Sequence, residues 1–210
     1  MIKVLIADDH AIVRGGLKQI LADTSDIAVA GEAGHGQEVL DRLNKMSYDV
    51  VVLDISMPGR SGLDILAQLK REFPRTRVLI LSMHPEEQYA MRALKAGASG
   101  YLTKESVPDE LIAAIRKVSA GRKYISSALA ERLAMAWEDG RERSVHERLS
   151  DREYEIMCMI ARGKSVKEIA LELGLSIKTV STYRSRILTK TDMKNNAEII
   201  YYAIKNNIID

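Results

Sequence analysis

Five short runs of apolar, largely β-branched residues recur through the first 120 positions: "KVLIAD" (3–8), "IAVAGEA" (27–33), "YDVVVLD" (48–54), "RVLILSM" (77–83) and "ASGYLT" (98–103). Their near-continuous hydrophobicity is what strands covered on both faces require, rather than the alternation of a half-exposed sheet. Between them the apolar residues fall three and four apart, as in Ile12, Leu17, Ile20 and Leu21, or Leu63, Leu66 and Leu69, which predicts amphipathic helices. Strict strand and helix alternation predicts a parallel, doubly wound α/β sheet. The last helix of the series is expected to start at "SVPDEL", with Ser106 as cap and Asp109 completing a capping box.

After Gly121 the pattern changes. "SSALAERLAMAWEDG" predicts a helix, and the charged, non-periodic "RERSVHER" follows it, so residues 122–148 form an expected linker containing a helix. Beyond it no strand signal remains. Two capping boxes, Ser150 with Glu153 and Ser165 with Glu168, each precede a periodic apolar run. "SVKEIALELG", a turn at Gly174 and Leu175, and "SIKTVSTYRSRILTKT" together match two helices joined by a short turn, the helix-turn-helix pattern. The domains expected are thus 1–121, a linker 122–148 and a helical unit 149–210.

Composition narrows the class. The 210 residues are 46% hydrophobic, enough for real cores, and the one cysteine, Cys158, lies in "EIMCMIA" as an expected buried small hydrophobe. The first apolar run is short and ends in two acids, and no apolar stretch approaches the roughly 20 residues of a membrane span, so a cytoplasmic protein without a membrane partner is expected. Net charge is +2, but unevenly placed: residues 1–121 hold 15 Lys and Arg against 16 Asp and Glu, the remainder 16 against 13. Between Gly174 and Asn196, Lys178, Arg184, Arg186, Lys190 and Lys194 face only Asp192.

In an open parallel sheet, functional residues gather at the carboxyl ends of the strands. Here the first strand ends in Asp8 and Asp9, the third in Asp54, the fourth in Ser82 and the fifth in Tyr101, Thr103 and Lys104. Three carboxylates within a few ångströms repel, each close pair by about 4 kcal/mol at an effective dielectric near 20. A hard divalent cation removes that penalty, and Mg²⁺ suits a site with few carboxylates, retained waters and an incoming phosphate. Lys104 supplies a point charge for a phosphoryl oxygen, Ser82 a hydroxyl, and Asp54 a candidate nucleophile. The set points to phosphoryl transfer onto an aspartate. Neither a G-x-x-x-x-G-K-[ST] loop nor a G-x-G-x-x-G turn is present. Isoleucine and serine after Asp54 disfavour a phosphatase of the haloacid dehalogenase type, which carries D-x-D at its nucleophile.

On the second predicted helix of the basic unit, Val180, Ile187 and Tyr183 are spaced for a core. Lys178, Ser181, Thr182, Ser185 and Arg186 have an outward stripe available. Such lysines and arginines bind phosphate oxygens, and hydroxyls reach base edges or phosphates.

These motifs carry a resemblance. "IADDH", "VVVLDISMPGRSGLDIL", "VLILSMH" and "GASGYLTKES" resemble the receiver domain of two-component response regulators, in order and at the usual spacing. "LSDREYEIMCMIARGKSVKEIALELGLSIKTVSTYRSRILTKT" resembles the LuxR-type DNA-binding domain, and the pair together the NarL/FixJ class. The resemblance implies a flavodoxin-like (CheY-like) five-stranded receiver followed by an all-α LuxR-type helix-turn-helix domain. It implies that Asp54 accepts a phosphoryl group from a sensor histidine kinase, with no enzymatic activity beyond Mg²⁺-dependent phosphorylation and dephosphorylation of itself. Asp9, Asp54 and the backbone carbonyl of Ser56 would hold the Mg²⁺ directly, with Asp8 acting through water. Ser82, Tyr101 and Lys104 match the switch hydroxyl, switch aromatic and phosphate-binding lysine, Tyr101 being drawn inward on phosphorylation.

By position, Ser181, Thr182 and Ser185 would read bases, while Lys178, Thr179, Arg184 and Arg186 would grip the backbone of double-stranded DNA. The final helix, "NNAEIIYYAIKN", resembles the segment through which such domains pair as homodimers on two-fold operators. Two departures stand out: Glu105 follows the lysine where the family often has proline, and Met83 replaces a small residue and would crowd the acyl phosphate.

Overall fold

The computed structural model describes residues 1–57, 62–106, 108–127, 129–131, 145–206 and 208–209. By its internal contacts the chain divides into two compact units, Met1–Ala134 and Met135–Asp210.

The first unit alternates β1 (Ile2–Ala7), α1 (Ala11–Ala22), β2 (Ile27–Ala33), α2 (Gly36–Lys45), β3 (Val50–Leu53), α3 (Gly62–Glu72), β4 (Arg77–Ser82), α4 (Glu86–Lys95), β5 (Gly100–Thr103) and α5 (Pro108–Ser119). All five strands pair in parallel, in the order β2-β1-β3-β4-β5. This is the predicted five-stranded doubly wound sheet. β3 is buried along its whole length and β4 at all but its first residue, which accounts for their continuous apolar runs. The chain leaves β1 toward β2 on one side and returns to β3 on the other, so the switch of direction lies between β1 and β3. Past the strand ends the ladder continues by one bond: Asp8 N–H donates to Ala33 O at 3.1 Å, Asp54 N–H to Ala7 O at 2.9 Å and Lys104 N–H to Ser82 O at 2.7 Å. Those three side chains therefore start from fixed backbone.

One local expectation changes. Ile12, predicted on the inner face of α1, is 90% exposed, whereas Leu17 and Leu21 are buried and Ile20 is partly covered. Ile12 precedes Leu17 by five residues, which turns it about 140° away from that face. The helix α5 is described from Pro108, a residue suited to a first helical position, and the step from Ser106 into it runs through Val107, outside the described residues. Of the predicted linker helix, Ser127 and residues 129–131 are helical, while 132–144 lie outside the described residues.

The second unit consists of a 3₁₀ turn (Val145–Arg148), α6 (Asp151–Ala161), α7 (Val166–Glu172), α8 (Ile177–Thr191) and α9 (Asn196–Lys205), with no strand among the described residues. Both predicted capping boxes form, with Ser150 and Ser165 accepting from the amides of Glu153 and Glu168 and each glutamate reaching back. The helix α6 is the centre, packed against α7, α8 and α9 and buried from Arg152 to Ala161. Its charges are accordingly paired: Arg152 Nη1 lies 2.6 Å from Glu155 Oε2, and Lys190 Nζ 2.6 Å from Glu153 Oε2. Cys158 is buried, as its spacing predicts. Between α7 and α8 the chain turns at Gly174, whose φ of 61° suits glycine, and Leu175 N–H closes the turn on Ala170 O at 2.8 Å. The 3₁₀ turn is seated on this unit, with His146 Nδ1 2.9 Å from the Tyr202 hydroxyl.

Candidate functional site

The carboxyl ends of β1 and β3 bring Asp8, Asp9 and Asp54 together as their sequence positions predict. One side-chain ligand atom from each, and one from His10, all lie within 4.8 Å of one another. Asp8 and Asp54 are each 2% exposed. Lys104 reaches across from β5: its Nζ lies 2.7 Å from Asp54 Oδ2, as a hydrogen bond, and 2.6 Å from Asp8 Oδ2, as an ion pair. The Ser56 amide donates to Asp54 Oδ1 at 3.0 Å.

Burial pushes the Asp54 carboxyl above the usual carboxylate range, and the negative charge of Asp8 adds to this; Lys104 and the Ser56 amide oppose it without cancelling it. For Lys104, burial works against the charged form, but hydrogen bonds and charge from Asp54 and Asp8 outweigh it, so the ammonium titrates above its ordinary value.

Two carboxylate oxygens in this cluster, Asp8 Oδ2 and Asp9 Oδ1, are buried and accept no hydrogen bond, although Lys104 Nζ lies 2.6 Å from the first and His10 Nδ1 3.0 Å from the second. Three carboxylates this close carry more negative charge than one ammonium offsets. A hard, oxygen-seeking cation would neutralise the remainder, so the donor set fits a divalent metal of the Mg²⁺ kind.

The residues expected to act as the switch lie alongside. Ser82 is fully buried and its hydroxyl accepts from the His84 amide at 3.1 Å. Tyr101 is placed inward, 1% exposed, and its hydroxyl donates to His84 O at 2.9 Å. Met83, expected to crowd the site, is 65% exposed. No peptide bond among the described residues is cis.

Three contributors were missed by sequence reasoning. His10 donates its amide to Asp8 Oδ1 at 2.8 Å and places Nδ1 3.0 Å from Asp9 Oδ1. Arg14 donates to the Asp8 carbonyl at 2.7 Å. His84 joins Ser56, through Nε2 at 3.1 Å from its Oγ, to the Tyr89 ring stacked 4.5 Å away. The "DDH" run was a signal for His10; nothing local marks His84, whose partners come from three other elements.

On the second unit, α8 buries Val180 and Ile187 completely and Tyr183 in part. Lys178, Ser181, Thr182, Ser185 and Arg186 are exposed, whereas Thr179 and Arg184 are half-buried. Arg184 Nε donates to Asn196 Oδ1 at 2.6 Å, which anchors it to the start of α9. Thr182 and Ser185 donate to the carbonyls of Lys178 and Ser181, at 2.9 and 3.1 Å, so their oxygens face outward as acceptors. Ser176 caps the helix through the Thr179 amide. A shallow recess of about 280 Å³ is lined by Ser176, Lys178, Thr179, Thr182, Tyr183 and Arg186, with the guanidinium 5.9 Å from the Tyr183 ring.

Residues 4–116 match the response regulator receiver domain family, which covers more than half of the chain. The chain is a response regulator. Residues 147–203 of this response regulator match the luxR family of bacterial regulatory proteins. Response regulator UvrY of Escherichia coli K12 is 38% identical to it over 209 residues, 99% of this chain and 96% of that one. Response regulator GacA of Pseudomonas aeruginosa is 38% identical over 211 residues, 100% and 99% of the two chains. Among solved structures, RcsB from Salmonella enterica serovar Typhimurium bound to promoter rprA in the presence of phosphomimetic BeF3⁻ superposes with a TM-score of 0.65 at 28% identity, covering 96% of this chain and 98% of that one. The response regulator therefore joins a receiver domain to a LuxR-family domain, the organisation of transcription regulators in two-component systems, and it is not a classical enzyme.

Proposed function

We propose that this response regulator is a DNA-binding transcription factor switched by phosphorylation of Asp54. The observation that carries this reading is the buried Asp54 carboxylate, held between Lys104 and the Ser56 amide beside the carboxylates of Asp8 and Asp9. A sensor histidine kinase is the donor: an Asp54 Oδ attacks the phosphorus of the phosphohistidine, the P–N bond breaks, and the imidazole nitrogen leaves with the electron pair and takes a proton from solvent. Asp9, Asp54 and the Ser56 carbonyl would hold Mg²⁺ directly and Asp8 through water; the ion, when bound, neutralises charge on the transferring phosphoryl oxygens. Lys104 then exchanges part of its contact with Asp54 for a phosphoryl oxygen, and the Ser82 hydroxyl donates to another. The product carries additional negative charge and three strong acceptors where a single carboxylate stood.

The exposed stripe of α8 is the reader. Lys178, Thr179, Arg184 and Arg186 contact the phosphate backbone and Ser181, Thr182 and Ser185 face the bases, with Arg184 steadied by Asn196. Two copies paired through α9, whose Tyr201 and Ile204 are exposed, would occupy a two-fold operator. The assignment of domains is a receiver at 1–121, a linker at 122–148 and the DNA-binding unit at 149–210. We place the protein in the cytoplasm, and among the described residues no helix is long and apolar enough to cross a membrane.

Incubation with Mg²⁺ and acetyl phosphate tests the switch. An acid-labile phosphoryl adduct, detected by mass, is expected on the wild type and absent from Asp54→Ala. If neither acetyl phosphate nor a cognate kinase phosphorylates Asp54, the receiver is a constitutive dimerisation module and the reading fails.

A further inference from the structure

At the amino end of β4, three cations from three separate segments are gathered. Lys70 lies in the last turn of α3, Arg77 opens β4, and Lys123 follows α5. Arg77 and Ser82 are the two ends of β4, so about 17 Å of strand separates this cluster from the Ser82 hydroxyl. Lys70 Nζ donates to the carbonyl of Thr76, the residue before Arg77, at 2.7 Å, and the Lys123 ammonium donates to Ala98 O. Two glycines leave room for this approach. A Cβ on Gly97, whose φ is 102°, would lie 2.8 Å from Lys70 Cγ, and one on Gly121, whose φ is 81°, 3.4 Å from Arg77 Nη2. All three cations are half-buried, and among the described residues none forms an ion pair. The nearby acids are engaged elsewhere. Glu72, beside Lys70 in the chain, accepts from Gln68 Nε2 at 2.9 Å. Asp49, whose carbonyl accepts the Arg77 amide, takes the Lys3 amide on its carboxylate at 2.8 Å. Burial, and then the charges of Arg77 and Lys123, push the Lys70 ammonium below the ordinary lysine range; burial, and then Arg77, do the same to Lys123. Folding thus brings like charges together where burial penalises them, with no counter-charge from the chain.

We propose that Lys70, Arg77 and Lys123 form a binding site for a diphosphate group, either free or as the tail of a nucleotide. The donor set fits that chemistry. Each ammonium uses one of its three N–H bonds on a carbonyl and keeps two, and the Arg77 guanidinium, which makes no hydrogen bond among the described residues, keeps all five in a planar fork suited to phosphate. A single phosphate carries roughly 1.5 to 2 negative charges, short of three cations. A diphosphate matches them and offers oxygens to all three segments. The carbonyls of Thr76 and Ala98 hold the two lysines in place beforehand, so little side-chain freedom is lost on binding. The site uses neither a metal nor Asp54, and it gives the first unit an input for a small anion that is independent of the phosphoacceptor.

Calorimetric titration of the full chain with sodium pyrophosphate, ADP and orthophosphate in metal-free buffer tests the site. Saturable binding of pyrophosphate is expected, with orthophosphate about tenfold weaker. Arg77→Gln and Lys123→Gln are each expected to weaken pyrophosphate about tenfold, the scale of one lost charge-assisted contact. Asp54→Ala, and Arg186→Ala on the cationic face of α8, are expected to leave it unchanged. Neither glutamine variant is expected to lower the unfolding temperature, because each removes a repelling charge, and pyrophosphate should raise that temperature more in the wild type than in either. ADP binding tighter than pyrophosphate makes the ligand a nucleotide; ADP binding equal or weaker makes it free diphosphate. In the wild type, the amide resonances of Gly97, Ala98 and Gly121 are expected to shift on titration with pyrophosphate while those of Ser56 and Lys178 stay in place. No saturation by about 1 mM pyrophosphate, no shift at those three amides, or tight binding that survives both glutamine substitutions overturns the proposal, and none of these results touches the reading of Asp54.

Discussion

The two units place their chemistry in opposite ways. In the first, Asp8, Asp54, Ser82 and Lys104 come from four strands, span nearly a hundred residues of sequence and meet where side chains are almost fully buried. In the second, the residues proposed to read DNA sit on one helix of 15 residues, five of them exposed and Thr179 and Arg184 half-buried. Burial makes each charge in the first unit depend on the others, because a low-dielectric site magnifies both attraction and repulsion. Exposure leaves Lys178 and Arg186 of α8 nearly independent of each other, while Arg184 and Lys190 are tied into the fold through Asn196 and Glu153. A site that performs covalent chemistry uses the first arrangement, and a surface that meets a polyanion uses the second.

The largest effect that separates the two comes from Lys104→Met. It leaves Asp8 and Asp54 facing each other without a cation, and a stability loss of about 3 kcal/mol is expected for the receiver at neutral pH. Added Mg²⁺ should recover much of it by binding the folded state. A urea titration with and without the ion checks both; a loss that Mg²⁺ does not reduce would break the assignment of the carboxylates. Arg186→Ala makes the contrasting measurement. Stability should stay within about 0.5 kcal/mol of wild type. Affinity for duplex DNA should fall, with the slope of log K against log salt flatter by about 1, read by fluorescence anisotropy across salt concentrations.

Smaller effects test the comparison within each unit. Glu153 is a buried acid of the second: burial raises its pKa, but Lys190 together with the Ser150 amide and hydroxyl outweigh burial and hold it below the usual glutamate range. A depressed folded value means that its stabilisation is present above the unfolded glutamate pKa and is lost as pH falls through the folded one. Glu153→Gln should therefore destabilise the helical unit at neutral pH by about 1 kcal/mol, the half-exposed Lys190 limiting the figure. That difference should vanish in acid, as urea midpoints across pH would show. The smallest change is expected from Ile12→Ser in the first unit, within about 0.5 kcal/mol. A larger loss would mean that Ile12 is covered after all.

Much of this was legible before any coordinates. The five apolar runs, the two capping boxes of the helical unit and the acids at the ends of the first and third runs are local patterns, and local patterns depend on periodicity and hydrogen-bonding chemistry within a few residues. Ile12 shows the limit. An apolar residue near a helical stripe looks like part of it until the helix is seated on its sheet. Tyr101 shows another, since its inward position is decided by whether the β4–α4 loop offers a carbonyl, here that of His84.

The sequence by itself determined most of the elements, the acids at the ends of β1 and β3, and the exposed cations of α8, because each is written in residue type and spacing along one segment. Only the tertiary structure decided that β3 lies beside β1 and β4, so that Lys104 bridges Asp8 and Asp54 and leaves two carboxylate oxygens without a hydrogen bond. It also decided that His84 links Ser56, Ser82 and Tyr101, and that Ser126 ties the segment after α5 to Glu86. These are contacts between residues far apart in the chain. Their geometry follows from strand order and helix seating, which minimise buried unpaired charge and exposed apolar surface over the whole unit at once.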